Sequence, residues 1–183
     1  MGEVAEIKDG FEADDVIGSL ATQLATESDT VIYMMTPDKD FAQLVSKNIF
    51  LYKPAFMGRG VDILGVDEVL KKFKIRRVDQ VVDFLGLQGD SVDNIPGVHG
   101  CGIKTLVKRF PEITEDKKLS VDDLLSLAEV KKGKIKIYDE ILNSKEQILM
   151  NEELMQLHDP DISGNIKMSI LDRFDEKHVF LIG

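Results

Sequence analysis

Seven acidic residues of this chain fall into three short groups: Glu12, Asp14 and Asp15; Asp38 and Asp40; Asp90 and Asp93. Carboxylates are hard oxygen donors and suit Mg²⁺ or Mn²⁺. Mg²⁺ keeps several waters and takes one or two direct carboxylates, so a crowded acidic pocket fits two ions. Two such ions polarise a phosphate, generate hydroxide and stabilise the leaving oxygen, which is the chemistry of phosphodiester hydrolysis. Each group also has a plainer reading. Glu12, Asp14 and Asp15 at a helix start complement the helix dipole. Asp38 suits an N-cap, and Asp40 with Lys39 an exposed pair. Asp90 and Asp93, three residues apart, fit one face of a helical turn or a solvated connection.

The third acidic group opens the segment GDSVDNIPGVHGCGIKT, residues 89–105. Asn94, Pro96 and Gly97 break any turn that begins at Asp90. Gly97, Gly100 and Gly102 then lead through Lys104 and Thr105 into an amphipathic run. A glycine-rich hairpin feeding a helix start presents backbone N–H groups and lets a phosphate approach the main chain closely. Lys104, Thr105 and Lys108 are the side chains placed to touch such a phosphate. His99 reads as a solvent-facing turn residue, and Cys101 as a small packed residue.

The elements that must position these groups follow from periodicity. Val16, Ile17, Leu20 and Leu24 form an apolar stripe on a helix that starts at Glu12. Residues 30–35 (TVIYMM) read as a buried strand stopped by Pro37, and 49–52 as the next strand. Between them a helix carrying Phe41, Leu44 and Val45 is expected, capped by Asp38. Asp38 and Asp40 thus follow the carboxyl end of a strand, where open parallel sheets place ligands. Residues 54–65 read as a loop or small hairpin. Helices are predicted over 66–73, 78–87, 104–110, 121–130 and, as one longer element, 134–157, with Asn143 its weak point. Pro111 ends the run 104–110, 112–120 is loop-like, and 161–183 show no period. Helix–strand–helix–strand is half of an α/β layered fold with a parallel sheet. Two short parallel strands do not cover both faces, so a preceding portion is expected, in the same polypeptide or a second one.

The chain's 183 residues suffice for one core or two small lobes. Its net charge of −10 argues against nucleic acid at first sight, yet seven acids sit in the three groups. Basic residues bunch at Lys71, Lys72, Lys74, Arg76 and Arg77, and at Lys131, Lys132, Lys134 and Lys136. A metal-dependent enzyme acting on a polyanion fits this distribution. So does an acidic protein with solvated helix faces. No apolar run reaches the length of a membrane span and no signal peptide opens the chain, so a cytoplasmic location without a membrane partner is expected. The single cysteine, Cys101, excludes an internal disulfide.

Three motifs in order, GFEADDVIGSLA (10–21), TPDKDFAQL (36–44) and GDSVDNIPGVHGCGIKT (89–105), resemble the 5′–3′ exonuclease and flap endonuclease family. That family includes the nuclease domain of bacterial DNA polymerase I and phage 5′-nucleases. The resemblance runs from about Gly10 to Phe110 and more weakly to Ile162. It implies an α/β fold: a partial PIN-like parallel-sheet nuclease core over 1–88, a helix–hairpin–helix (helix–three-turn–helix) DNA-binding region over 89–160, and a tail over 161–183. It implies Glu12, Asp14 and Asp15 at a first metal, Asp38 and Asp40 between two metals, and Asp90 and Asp93 at a second. Asp14, Asp15, Asp38 and Asp40 become the catalytic set. Mg²⁺ or Mn²⁺, two per complete site, are the implied cofactors, with K⁺ at the hairpin. Gly97, Gly100, Gly102, Lys104, Thr105 and Lys108 become the DNA-binding set, for duplex or 5′-flap DNA. The family's first strand, with its aspartate, and its helical arch do not match any part of this chain. A separate polypeptide supplying that portion is therefore an expected partner. The implied location is the cytoplasm of a bacterial or phage-infected cell. Two rivals stand beside structure-specific DNA hydrolysis: a catalytically inactive DNA-binding fragment or subunit, and a PIN-type ribonuclease.

Overall fold

The computed structural model describes residues 12–26, 29–55, 58, 60–115, 119–158 and 181–182. It divides into two compact units, one of Met1–Val69 with Leu157–Gly183, the other of Leu70–Gln156. The sequence placed the first boundary nearer residue 88 and read 161–183 as a tail. Most of that tail lies outside the described residues.

The first unit is an α/β layer. Helix α1 (Ala13–Leu24) buries Val16, Ile17, Leu20 and Ala21, the face set by its helical period. Strand β1 (Ile32–Met35) pairs in parallel with β2 (Ile49–Lys53), Ile32 opposite Ile49 and Met34 opposite Leu51. Strand β3 (Asp62–Leu64) returns antiparallel along β2, Leu51 opposite Leu64. Strand β4 (Leu181–Ile182) adds in parallel beside β1, giving the order β3-β2-β1-β4. The sheet is therefore mixed, not parallel throughout, and draws a strand from the stretch that showed no period. Ile32, Met34, Ile49, Leu51 and Leu64 turn to the core, as period-two alternation requires. Tyr33 and Phe50 stack on the opposite face with ring centroids 5.5 Å apart.

Between β1 and β2 the expected α-helix is a 3₁₀ turn over Asp40–Leu44, with Lys39 and not Asp38 at its cap position. Its residues are all buried, Phe41 and Ala42 completely. The Gln43 side chain donates to Asp40 O at 3.0 Å and accepts from the Leu157 N–H at 2.8 Å. Leu157 in turn packs on α1 so closely that a Cβ on Gly18 would sit 2.6 Å from its carbonyl oxygen.

Helix α2 (Val66–Phe73) has the bounds read from the sequence. The second unit that follows is helical. A 3₁₀ turn at Val78–Gln80 opens α3 (Val81–Gln88), and α4 (Ile103–Arg109) follows the hairpin. Pro111 starts a 3₁₀ turn, Pro111–Thr114, that buries Ile113, so the stretch read as loop is partly ordered helix. Helix α5 (Val121–Val130) is capped by Ser120, whose hydroxyl accepts from the Asp123 N–H. The single long helix expected over 134–157 is two: α6 (Lys136–Asn143) and α7 (Lys145–Met155), broken at Ser144 beside the weak point Asn143. The break lets α6 pack on α5 while α7 packs on α3.

Candidate functional site

In the first unit, the acids of the α1 start and of the β1 end are held by their own backbone. The Asp15 carboxylate accepts from the Glu12 N–H at 3.2 Å, so it closes the first turn of α1. Glu12 is exposed, Asp14 and Asp15 half-buried. At the end of β1, the Thr36 N–H donates to Tyr52 O and extends the ladder by one bond. The Asp38 N–H donates to Thr36 Oγ1 at 3.1 Å, and Asp38 Oδ1 accepts from the Asp40 N–H at 2.9 Å. This relay holds Asp38 half-buried and turns Asp40, 9% exposed, inward. Asp38 thus does the work of a cap without occupying the cap position. Among the described residues Glu12, Asp14 and Asp15 do not form a compact three-ligand group.

In the second unit, Asp90 and Asp93 are brought together. Their carboxylate oxygens lie within 4.8 Å of one another. The means is not the helical turn that the spacing suggested. Gly89 ends α3 with φ +65°, and Asp90 then forms an antiparallel bridge with Ile95. The Asp90 N–H donates to Ile95 O at 2.9 Å and the Ile95 N–H to Asp90 O at 2.7 Å. Residues 91–94 turn between them, with Asn94 at φ +58°. Asp90 Oδ1 accepts from the Val92 N–H at 2.8 Å, so the buried carboxylate is fixed by its own loop. Asp93, at the rim, is exposed. Two paired carboxylates, one fixed and one solvent-facing, are hard donors that fit a hydrated Mg²⁺ or Mn²⁺.

The hairpin grows directly from this loop. Gly89 and Gly97 lie back to back, so that a Cβ on either would collide with the other's backbone nitrogen. The Val98 N–H donates to Leu87 O at 2.9 Å, and the Cys101 N–H to Val98 O at 3.0 Å. Gly100 adopts φ +77°, a conformation that L side chains rarely take. Gly102 caps α4, and nothing stands within 4 Å of a Cβ placed on it or on Gly100. Lys104 and Lys108 project from α4 into solvent, Thr105 is half-buried and His99 is exposed. Cys101 is 2% exposed, and burial pushes its thiol from 9.0 up to about 12. A thiol held neutral in this way packs and does not attack.

Three residues that hold the end of α4 or the ends of the Asp90–Asp93 loop are not evident in the motifs. Lys131 is half-buried; its ammonium donates to Arg109 O at 3.2 Å and pairs with Glu112 at 3.3 Å. It lies 5.4 Å from the Phe110 ring centroid and 5.7 Å from that of Tyr138. The Tyr138 hydroxyl donates to the same Arg109 oxygen at 3.1 Å. Together they satisfy the carbonyl end of α4. Lys131 therefore leaves the basic surface cluster in which the sequence placed it. Lys132 and Lys136 pair with Glu129 and Glu140. The third residue is Asn151, 1% exposed on α7, which bonds the backbone at both ends of the Asp90–Asp93 loop. Only its polarity within an apolar helix pattern signals it.

A sheet unit with acids at a strand end, followed by a helical unit with a glycine hairpin, is matched along its length by one family. Residues 3–74 match the 5′-3′ exonuclease N-terminal resolvase-like domain, and residues 76–176 the 5′-3′ exonuclease C-terminal SAM fold. The chain belongs to the 5′–3′ exonuclease family. It is 34% identical over 177 residues to a 5′-3′ exonuclease of Buchnera aphidicola subsp. Acyrthosiphon pisum, covering 94% of this chain and 59% of the relative. Over 97 residues it is 47% identical to DNA polymerase I of Pseudomonas aeruginosa, covering 53% of this chain and 10% of that protein. The T5 D15 protein co-crystallised with metal ions superposes with a TM-score of 0.69 at 22% identity, over 90% of this chain and 58% of that one. A T5 D15 flap endonuclease complex with DNA and metal ions gives 0.70 at 21% identity, over 89% and 60%. These likenesses show the shared fold. The chain spans about three-fifths of the length of the full exonuclease relative.

Proposed function

We propose that this chain is the metal- and DNA-holding part of a structure-specific 5′–3′ exonuclease or flap endonuclease. The observation that carries the reading is the pairing of Asp90 and Asp93 at the base of the glycine hairpin, in a chain of this family. In this reading the carboxylates Glu12, Asp14, Asp15, Asp38, Asp40, Asp90 and Asp93 hold two Mg²⁺ or Mn²⁺ ions. Asp14, Asp15, Asp38 and Asp40 are the set nearest the reacting phosphate. The ions supply a nucleophilic hydroxide and stabilise the leaving oxygen. The chain's own residues fix the carboxylates and hold the duplex. Gly97, Gly100, Gly102, Lys104, Thr105 and Lys108 contact phosphates without reading bases, and the hairpin carbonyls offer a seat for K⁺.

The names of the relatives and the DNA and metals bound to the T5 D15 neighbour support a 5′-flap or duplex substrate. The remainder of the nuclease, in the same polypeptide or a separate one, is part of this proposal, as is action in the cytoplasm. The test is cleavage of a labelled 5′-flap duplex with Mg²⁺ or Mn²⁺, by the chain alone and with the N-terminal part of the Buchnera relative added. Metal-dependent release of the flap by either supports the reading. DNA binding without cleavage in both arms favours the DNA-binding subunit, and cleavage of RNA alone favours the ribonuclease.

A further inference from the structure

Asn151 stands 65 residues from Gly86 and 55 from Pro96 in sequence, yet its side-chain nitrogen donates to both carbonyls, at 2.9 and 2.8 Å. Its oxygen accepts from Gln147 Nε2 at 2.8 Å. The amide orientation is forced: two carbonyl oxygens only accept, so the NH₂ group must face them. Both its hydrogens and its oxygen are engaged in a site 1% exposed. Gly86 precedes the loop that carries Asp90 and Asp93, and Pro96 follows it. One side chain on α7 therefore ties together the two ends of that loop.

The surroundings are built to admit it. A Cβ on Gly86 would lie 3.3 Å from Ile148 O and 3.4 Å from the Glu152 backbone nitrogen, so Gly86 lets α3 and α7 approach closely. The loop's own bonds include the Asp90–Ile95 bridge, the bond from the Val92 N–H to Asp90 Oδ1 and the Val98–Leu87 bond. No helix or sheet ladder fixes residues 91–94. A buried polar side chain that satisfies two backbone carbonyls costs desolvation and earns its place only if those carbonyls stay put.

We infer that Asn151 is a positioning residue, holding the loop so that Asp90 and Asp93 stay paired for a divalent cation and the hairpin keeps its angle. The metal half of this inference rests on the reading of Asp90 and Asp93 as ligands. Residues that orient metal ligands typically change metal affinity by about 10–100-fold when replaced.

The deciding variant is Asn151→Asp. It keeps the shape but turns a carboxylate toward two carbonyl oxygens. Leu124→Ala, in the core of α5, serves as the control matched for loss of thermal midpoint. Mn²⁺ affinity is read by calorimetry, and amide exchange at Ile95 and Val98 in the metal-free chain. The expected result is Mn²⁺ binding weakened by about tenfold or more, with loss of protection at both amides, while the control keeps both. If Asn151→Asp does not fold, Gln147→Ala, which removes only the bond to the Asn151 oxygen, is expected to move both readouts in the same direction. Protection and affinity equal to the control's overturn the inference. Failure of the unaltered chain to bind Mn²⁺ is a different result. It removes the metal reading, and the exchange at Ile95 and Val98 still decides whether Asn151 holds the loop.

Discussion

Gly97 faces the carbonyl oxygen of Gln88 so closely that a side chain on Gly97 would run into the end of α3. The obstacle is backbone, which does not rotate away. Gly97→Ala is therefore expected to cost about 2–3 kcal/mol, the upper part of the range for overpacking, read by urea unfolding. It is also expected to displace the hairpin and lower DNA affinity. Gly102 is the contrast. It has open space around it and occupies the cap of α4. Gly102→Ser should leave stability unchanged or raise it by a few tenths of a kcal/mol, while a side chain between the hairpin and a phosphate weakens DNA binding. Equal stability loss in both variants would contradict the packing assigned to Gly97.

Lys104 and Lys108 are exposed on α4. Replacing both with Ala should weaken binding to all duplex sequences alike. It should also reduce the salt slope by about 2, since each phosphate contact contributes roughly 0.9. The measurement is fluorescence anisotropy of labelled duplexes from low to moderate salt. A change confined to one sequence would point to base readout and away from the hairpin account.

Asp93 is exposed and its carboxylate faces that of buried Asp90. Asp93→Asn removes one carboxylate of the proposed metal-binding pair. Folding stability is expected to stay within about 0.5 kcal/mol, as for most surface replacements. Mn²⁺ binding by calorimetry is expected to fall at least about tenfold. Undiminished binding would place the strongest cation site elsewhere in the chain.

Burial raises the Cys101 thiol from 9.0 to about 12. The neutral thiol is the form that packs. Its contribution to stability is complete below pH 9 and is lost as pH rises toward about 12, because the unfolded chain releases the proton first. The slope from this group is at most about 1.4 kcal/mol per pH unit. Comparing urea unfolding of the native chain and Cys101→Ala between pH 8.5 and 10.5 isolates it: the native chain should lose stability more steeply. A thiol reagent at neutral pH should modify Cys101 only as fast as the chain opens.

The sequence by itself determined the elements with strong local periods and the three ordered motifs. Helices α2 and α5 have the bounds their apolar spacing predicts. The strand pair β1–β2, the hairpin glycines and the burial of Cys101 were likewise legible, because side-chain alternation, glycine chemistry and neighbouring turn residues act over a few positions. Four features were decided only in the tertiary structure. The helix expected after Pro37 tightened into a 3₁₀ turn under a buried connection between two parallel strands. The long terminal helix broke at Ser144, where its halves meet different partners. Lys131 turned its ammonium onto the carbonyl end of α4. Asn151 bonded carbonyls 65 and 55 residues away. The reason is common to all four. A hydrogen bond or packing contact across such separations depends on where other elements lie, and no pattern within a single segment carries that information.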